Sequence, residues 1–98
     1  MKMYIDDIRN PKTSFDIISR TSLEAINFIK ENGCPNFISF DHDLGGEDTS
    51  IPIVNFLIEM DLDYPNFIPL DFTFNVHSAN PVGAKNIEGK LNSYLNFR

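Results

Sequence analysis

Three short polar blocks hold most of the groups in this chain that could do chemistry: Asp6-Asp7 with Arg9, Asp41-His42-Asp43, and His77-Ser78-Ala79-Asn80. Each follows an apolar run: Met1 to Ile5, Phe37 to Phe40, and Phe72 to Val76. Carboxylates gathered in one place repel unless they are protonated or share a cation, and an all-oxygen acidic set suits a hard ion such as Mg²⁺ or Mn²⁺. Asp6, Asp7, Asp41 and Asp43 are therefore the candidate metal ligands. His42 and His77 sit on different blocks; imidazoles titrate near neutral pH, so the pair could pass protons across a phosphoester, and either could instead ligate the metal.

Arg9 has the fork geometry that grips phosphate oxygens, although an ion pair with a neighbouring aspartate is as natural a use. Asn80 is a candidate for substrate binding, and it also precedes Pro81 as a helix cap would. Lys85 could reach a phosphate from the last helix, but a lysine there is more often solvated. Gly45-Gly46 lacks the spacing and the Lys-Ser/Thr of a phosphate-binding loop. Taken one at a time, the blocks are equally well explained as turns and caps. Their shared position, directly after strands, carries the functional reading.

The elements that must position these blocks can be read along the chain. Met1 to Ile5 reads as a strand, ended by Asp6-Asp7 and the Asn10-Pro11 break. Phe15 to Arg20 reads as a second strand. Thr21-Ser22-Leu23-Glu24 then has capping-box spacing, and Leu23, Ile26 and Ile29, with Ala25 and Phe28, recur at helical steps up to Gly33. Phe37 to Phe40 is a buried third strand. Ser50 to Met60 is a helix apolar on most sides, with Pro52 in its first turn, and Asp61 to Leu70 is a connection holding Pro65 and Pro69. Phe72, Phe74 and Val76 alternate with polar residues as in a half-buried edge strand. Asn80-Pro81 opens a last helix carrying Ala84, Ile87, Leu91, Tyr94 and Leu95. This alternation predicts a parallel sheet covered by helices, with strand carboxyl ends along the edge where α/β sheets bind ligands. The three blocks should converge there.

Composition sets the limits. The chain's 98 residues leave room for one domain, 1–98, and 42% hydrophobic content with nine Phe marks a globular protein. A net charge of −6 is the wrong sign for a long nucleic acid, while a small anionic substrate stays compatible because a metal ion inverts the local field. There is no secretory leader pattern and no apolar run near the roughly 20 residues of a membrane span. A soluble, cytoplasmic protein without a membrane partner is expected. The lone Cys34 excludes an intramolecular disulfide and a Cys-rich zinc site, and reads as a small apolar residue opening a strand. Richness in Asn, Ile and Phe beside three Arg hints at an AT-rich, phage-like genome, hence a host cytoplasm.

With an acidic pair after the first strand, Asp41 ending the third and Ser78-Ala79 after the fourth, the chain resembles a response-regulator receiver domain. It is more similar to the divergent cyclic-phosphate processing receiver domains, through Tyr4-Ile5-Asp6-Asp7-Ile8-Arg9-Asn10-Pro11, Ser39-Phe40-Asp41-His42-Asp43-Leu44-Gly45 and His77-Ser78-Ala79-Asn80-Pro81. The resemblance implies a receiver-like (flavodoxin-like) α/β three-layer sandwich, reduced to four strands in the order 2-1-3-4 with helices on both faces. It makes Asp6, Asp7 and Asp41 metal-site acids, with Asp43, His42, His77 and Ser78 acting on a phosphoryl group. No fifth strand with its lysine follows, and no helix separates the first two strands, which puts phosphoryl transfer to Asp41 in question.

The expected function is that of a Mg²⁺- or Mn²⁺-dependent phosphoesterase acting on a cyclic phosphate, either a cyclic nucleotide or a 2′,3′-cyclic RNA end. Asp41, His42, His77 and Ser78 would be catalytic, and Arg9 and Asn80 would hold the substrate. The metal would offset phosphate charge and acidify a water. Two other readings stay open: a Mg²⁺-binding receiver-like switch or adaptor with a protein partner, and a module that sequesters a cyclic nucleotide.

Overall fold

Four parallel strands frame the molecule: β1 (Lys2–Ile5), β2 (Ile17–Ser19), β3 (Phe37–Phe40) and β4 (Thr73–Val76). They lie in the order β2-β1-β3-β4 in a computed structural model that describes residues 1–98. The register pairs Met3 with Ile17, Ile5 with Phe40, and Phe40 with Val76. The apolar residues Met3, Ile5, Ile38 and Phe40 therefore share one face, and Tyr4, Ser39 and Asn75 share the other.

Helix α1 (Ser22–Asn32) starts where the capping residues put it, with the Glu24 N–H donating to Thr21 Oγ1 at 3.1 Å. The Glu24 carboxylate accepts the Arg20 N–H at 3.0 Å, one residue ahead of the cap, so the box is offset. Gly33 ends the helix at φ 86°, ψ 171°, a positive-φ geometry with extended ψ instead of the left-handed helical one expected. Leu23, expected on the apolar stripe, is 65% exposed, and the buried positions are Ala25 and Ile29. Helix α2 spans Ile51–Asp63, one turn past the expected Met60, and α3 spans Pro81–Phe97 with Asn80 Oδ1 accepting the Gly83 N–H.

The α/β class, the four parallel strands and their order match the expectation, but the layering does not. Ala25 and Ile29 of α1, Ile53, Val54 and Leu57 of α2, and Ile87 and Leu91 of α3 form one core with Met3, Ile5, Ile38 and Phe40. All three helices thus cover the same face of the sheet. The cause is topological: the β2-to-β3 and β3-to-β4 crossovers run in the same direction, and right-handed crossovers in one direction place their helices on one side. The β1–β2 connection has no helix and covers the other face only with Phe15, whose ring lies 5.2 Å from Tyr4 and 6.0 Å from Phe37.

The connection after α2 is also more ordered than its prolines suggest. Asp61 is buried and accepts the Tyr94 hydroxyl at 2.7 Å, the Ile68 N–H at 2.9 Å and Arg98 at 3.2 Å on both oxygens. Arg98 further donates to the carbonyls of Ile68 and Pro69. This knot pins Ile68 in the core and ties the end of α3 to the β4 approach. Burial pushes the Cys34 thiol up to about 12, consistent with a packed, unreactive side chain. No helix is long and apolar enough to cross a membrane.

Candidate active site

The sheet register builds the centre of the site. Ile5, Phe40 and Val76 are mutual partners across β1, β3 and β4, so the next residue of each strand falls in one row: Asp6, Asp41 and His77. The ladder continues through this row, with the Asp41 N–H donating to the Ile5 carbonyl and the His77 N–H to the Phe40 carbonyl, both at 2.9 Å. Alternation places the row on the same face as Tyr4, Ser39 and Asn75. One potential ligand atom from each of the three lies within 4.8 Å of the other two.

Asp6 is fully buried, and both of its oxygens are occupied from within the protein. Oδ1 accepts the Ile8 N–H at 3.0 Å and the Arg9 N–H at 2.8 Å; Oδ2 lies 2.8 Å from Arg9 Nε and 3.0 Å from His77 Nε2. Burial pushes the Asp6 carboxyl up, but the two N–H donors, His77 and the Arg9 charge outweigh it and hold the group below the usual carboxylate range. Burial lowers Arg9, but the carboxylate of Asp6, and next that of Asp41, outweigh it and hold the guanidinium above its ordinary value. Arg20 fixes the loop from outside, donating to the carbonyls of Asp6 and Arg9 at 3.0 and 2.6 Å and to Asn10 Oδ1 at 2.6 Å.

His77 is held on every side. Its ring stacks on Tyr4 at 4.5 Å and 4°, and its Nδ1 lies 2.7 Å from Ser39 Oγ, which in turn bonds Asn75 Oδ1. Two hydrogen placements satisfy this chain. With Ser39 donating to Asn75, Ser39 accepts the His77 Nδ1–H and the ring carries hydrogens on both nitrogens. With the Asn75 amide turned over, Ser39 donates to Nδ1 and the neutral ring donates Nε2–H to Asp6. In both cases the imidazole lies between Asp6 and Ser39. Burial, and next the Asp6 charge, raise the Tyr4 hydroxyl above its ordinary value, keeping that ring neutral.

In front of this row lies an open cleft of about 450 Å³ lined by Asp7, Arg9, Asp41, Asp43, Gly45-Gly46 and Ala79. Gly45 and Gly46 turn the chain at φ 93° and 57°, and a Cβ on Gly45 would sit 3.5 Å from Asp7 Oδ2. Asp48 braces this turn, accepting the Ser22 N–H and hydroxyl at the start of α1 at 2.9 and 2.6 Å. Ser50, at the α2 cap position, donates its hydroxyl to the Asp41 carbonyl instead of capping the helix. The Asp41 carboxylate is about nine-tenths buried, and its one side-chain partner is Arg9 Nη2 at 3.4 Å. Asp7, Asp41 and Asp43 share the cleft lining with Arg9, an all-oxygen acidic set of the kind that suits a hard divalent cation, while the set whose ligand atoms come within 4.8 Å of one another is Asp6, Asp41 and His77.

The other expected residues are distributed less simply. Asp43 is exposed and lies 3.0 Å from His42 Nδ1 and 3.3 Å from Asn80 Nδ2; the His42 contact first, and Asn80 next, lower its carboxyl below the ordinary value. The His42 ring packs flat on α3, where a Cβ on Gly83 would come within 2.3 Å of it. His42 does not line the cleft, and its Nε2 engages no protein group. Asn80 caps α3, and the Ser78 hydroxyl accepts the Asn80 N–H at 3.0 Å. Lys85 is exposed, and its ammonium group makes no hydrogen bond to protein. Tyr4, Arg20, Ser39 and Asn75 were not among the candidates. Ser39 had a readable signal, a hydroxyl inside Phe-Ile-Ser-Phe with no apolar reason to be there.

The model of the cyclic-phosphate processing receiver domain matches residues 1–93, whereas no curated protein and no solved structure matches the chain. Every residue of the cleft and of the Asp6–Asp41–His77 row falls inside the match, and the protein belongs to the cyclic-phosphate processing receiver family.

Proposed function

We propose that this protein is a Mg²⁺- or Mn²⁺-dependent phosphoesterase that opens a cyclic phosphate, on a cyclic nucleotide or a 2′,3′-cyclic RNA end. The observation that carries the proposal is the cleft itself: Asp7, Asp41 and Asp43 line it together with Arg9 at the carboxyl edge of the sheet, in a chain of this family. Asp7, Asp41 and Asp43 are the favoured metal ligands. The alternative set of Asp6, Asp41 and His77 is close enough, but the oxygens of Asp6 already serve four donors and His77 is bonded at both nitrogens.

A divalent ion bound there would neutralise phosphate charge and acidify a water. The remaining work belongs to the chain. Arg9, anchored on Asp6 through Nε, directs its terminal amino groups at phosphoryl oxygens. His42 lies outside the cleft lining and holds Asp43 through its Nδ1, which makes it a positioning residue for that carboxylate. His77 acts as a positioning residue, because both ring nitrogens are occupied and Tyr4 covers its face. Ser78 and Asn80 fix the turn that brings Ala79 to the cleft, and Asn80 also donates to Asp43.

The test is incubation with a panel of cyclic nucleotides and 2′,3′-cyclic RNA ends in Mg²⁺, Mn²⁺ or chelator, read by mass spectrometry beside Asp41→Asn. Metal-dependent product that is lost in Asp41→Asn supports the proposal. Ligand that is retained but intact would replace it with sequestration, and no interaction with any member would favour a switch or adaptor.

A further inference from the structure

We propose that Arg9 is a resident counter-cation on Asp41 which a divalent ion must displace, so that cation binding frees one arm of the guanidinium for an anion in the cleft. The inference rests on the cleft being a divalent-cation site. It deepens that reading by making metal and phosphate binding interdependent through one residue.

The two ends of the Arg9 side chain are held very differently. At the inner end, Nε donates to the buried Asp6 carboxylate at 2.8 Å, the Arg9 N–H donates to the same group at 2.8 Å, and the Arg9 carbonyl accepts from Arg20 at 2.6 Å. These contacts are short and fix both the backbone and the start of the guanidinium. At the outer end, Nη2 bonds the His77 carbonyl at 3.2 Å and stands 3.4 Å from Asp41 Oδ2, while Nη1 donates to no protein group. The Arg9 side chain as a whole is 47% exposed.

Asp41 has the complementary shortage. Its carboxylate is about nine-tenths buried and faces the cleft, and it receives no short hydrogen bond from the protein. A carboxylate so enclosed needs positive charge, and the distant Nη2 is the one group supplying it. A cation ligated by Asp41 would take over that role at closer range. Nη2 would then be released from Asp41 while Nε stayed on Asp6, so the guanidinium pivots without leaving the site. Two donor arms, Nη1 and Nη2, would then face the cleft with the spacing that suits bidentate phosphate.

The experiment is Mg²⁺ titration by calorimetry on the wild type, Arg9→Gln and Arg9→Lys, each first shown by its melting transition in chelator to be folded. Arg9→Gln removes the competitor and is expected to tighten Mg²⁺ binding roughly two- to five-fold, the range for a partly exposed ion pair. Arg9→Lys keeps a charge near Asp6 but has no second arm, so it should follow Arg9→Gln. In the wild type, nitrogen-detected NMR should show the Arg9 Nη signals freed by Mg²⁺ while the Nε–H signal stays in place. Wild-type affinity in both variants, or Nη signals unchanged at saturating Mg²⁺, would overturn the role of Arg9 and leave the metal site standing. Absence of Mg²⁺ binding in all three proteins would overturn the metal site and this inference with it.

Discussion

Replacing either of two glycines of α3 with alanine should have opposite effects, because only one of them has a neighbour. A Cβ on Gly83 would lie 2.3 Å from His42 Cγ, 2.6 Å from Nδ1 and 2.7 Å from Cδ2, whereas a Cβ on Gly89 meets nothing within 4 Å. Carbon contacts are comfortable at roughly 3.5–4.0 Å, so Gly83→Ala must push the imidazole away by about 1 Å. Overpacking of this kind costs about 1–3 kcal/mol, partly offset by up to about 1 kcal/mol of helix propensity. Gly89→Ala gains about 1 kcal/mol with no steric cost. The helix-propensity gain is common to both, so the two variants should differ by the overpacking cost of about 1–3 kcal/mol, or roughly 4–24 °C in Tm for a chain of this size. Scanning calorimetry or urea unfolding followed by circular dichroism reads the difference. The His42 ring signals should also shift in Gly83→Ala and not in Gly89→Ala, since the displaced ring leaves Asp43. Equal melting temperatures, with Gly83→Ala no less stable than Gly89→Ala, would refute the packing of His42 on α3.

The remaining expectations follow from the site and the Asp61 knot. Burial pushes Asp61 up, but Tyr94, the Ile68 N–H and Arg98 outweigh it and hold its carboxyl below the ordinary value. Its contribution to stability is thus complete above the unfolded pKa near 3.9 and is lost as pH falls through the lower folded value, so acid denaturation followed by fluorescence should be flatter in Asp61→Asn. Asp61→Ala strands Arg98 and should cost about 3 kcal/mol in urea unfolding. Mg²⁺ at about 100 times its Kd should stabilise the wild type by about 2.7 kcal/mol, and Asp41→Asn should abolish the rise in Tm. His42→Gln removes the contact that holds Asp43 and should weaken Mg²⁺ binding in calorimetry, whereas His77→Gln should lower Tm and disturb Arg9 as well.

Much of the site was legible because strands announce their ends. Asp6, Asp41 and His77 each follow directly on an apolar run, and a parallel register turns that sequence position into a row in space. The edge position of β4 could be read from the alternation of Phe72, Phe74 and Val76. The division of labour within the row could not, because it depends on contacts across long stretches of chain. His77 meets Asp6 over 71 residues and Ser39 over 38, and those contacts, which occupy both ring nitrogens, support the positioning role proposed for it. Arg20 belongs to the site only because the loop after β1 folds back over β2. The one-sided layering followed from the direction of the two crossovers, which a list of elements does not state until the strand order is combined with handedness. Asp61 looked like the start of a loop because its partners, Tyr94 and Arg98, come from the far end of α3.

The most direct measurement is ³¹P NMR of a cyclic nucleotide and a 2′,3′-cyclic RNA end incubated with the protein, in Mg²⁺ and in chelator, with Asp7→Asn and Asp41→Asn in parallel. Conversion of the cyclic-phosphate resonance to a phosphomonoester or an opened diester by the wild type in Mg²⁺ alone, and by neither variant, is the expected result. Conversion that persists in chelator or in Asp41→Asn, or cyclic-phosphate resonances that stay unchanged with folded protein and saturating metal, would contradict a metal-dependent phosphoesterase centred on this cleft.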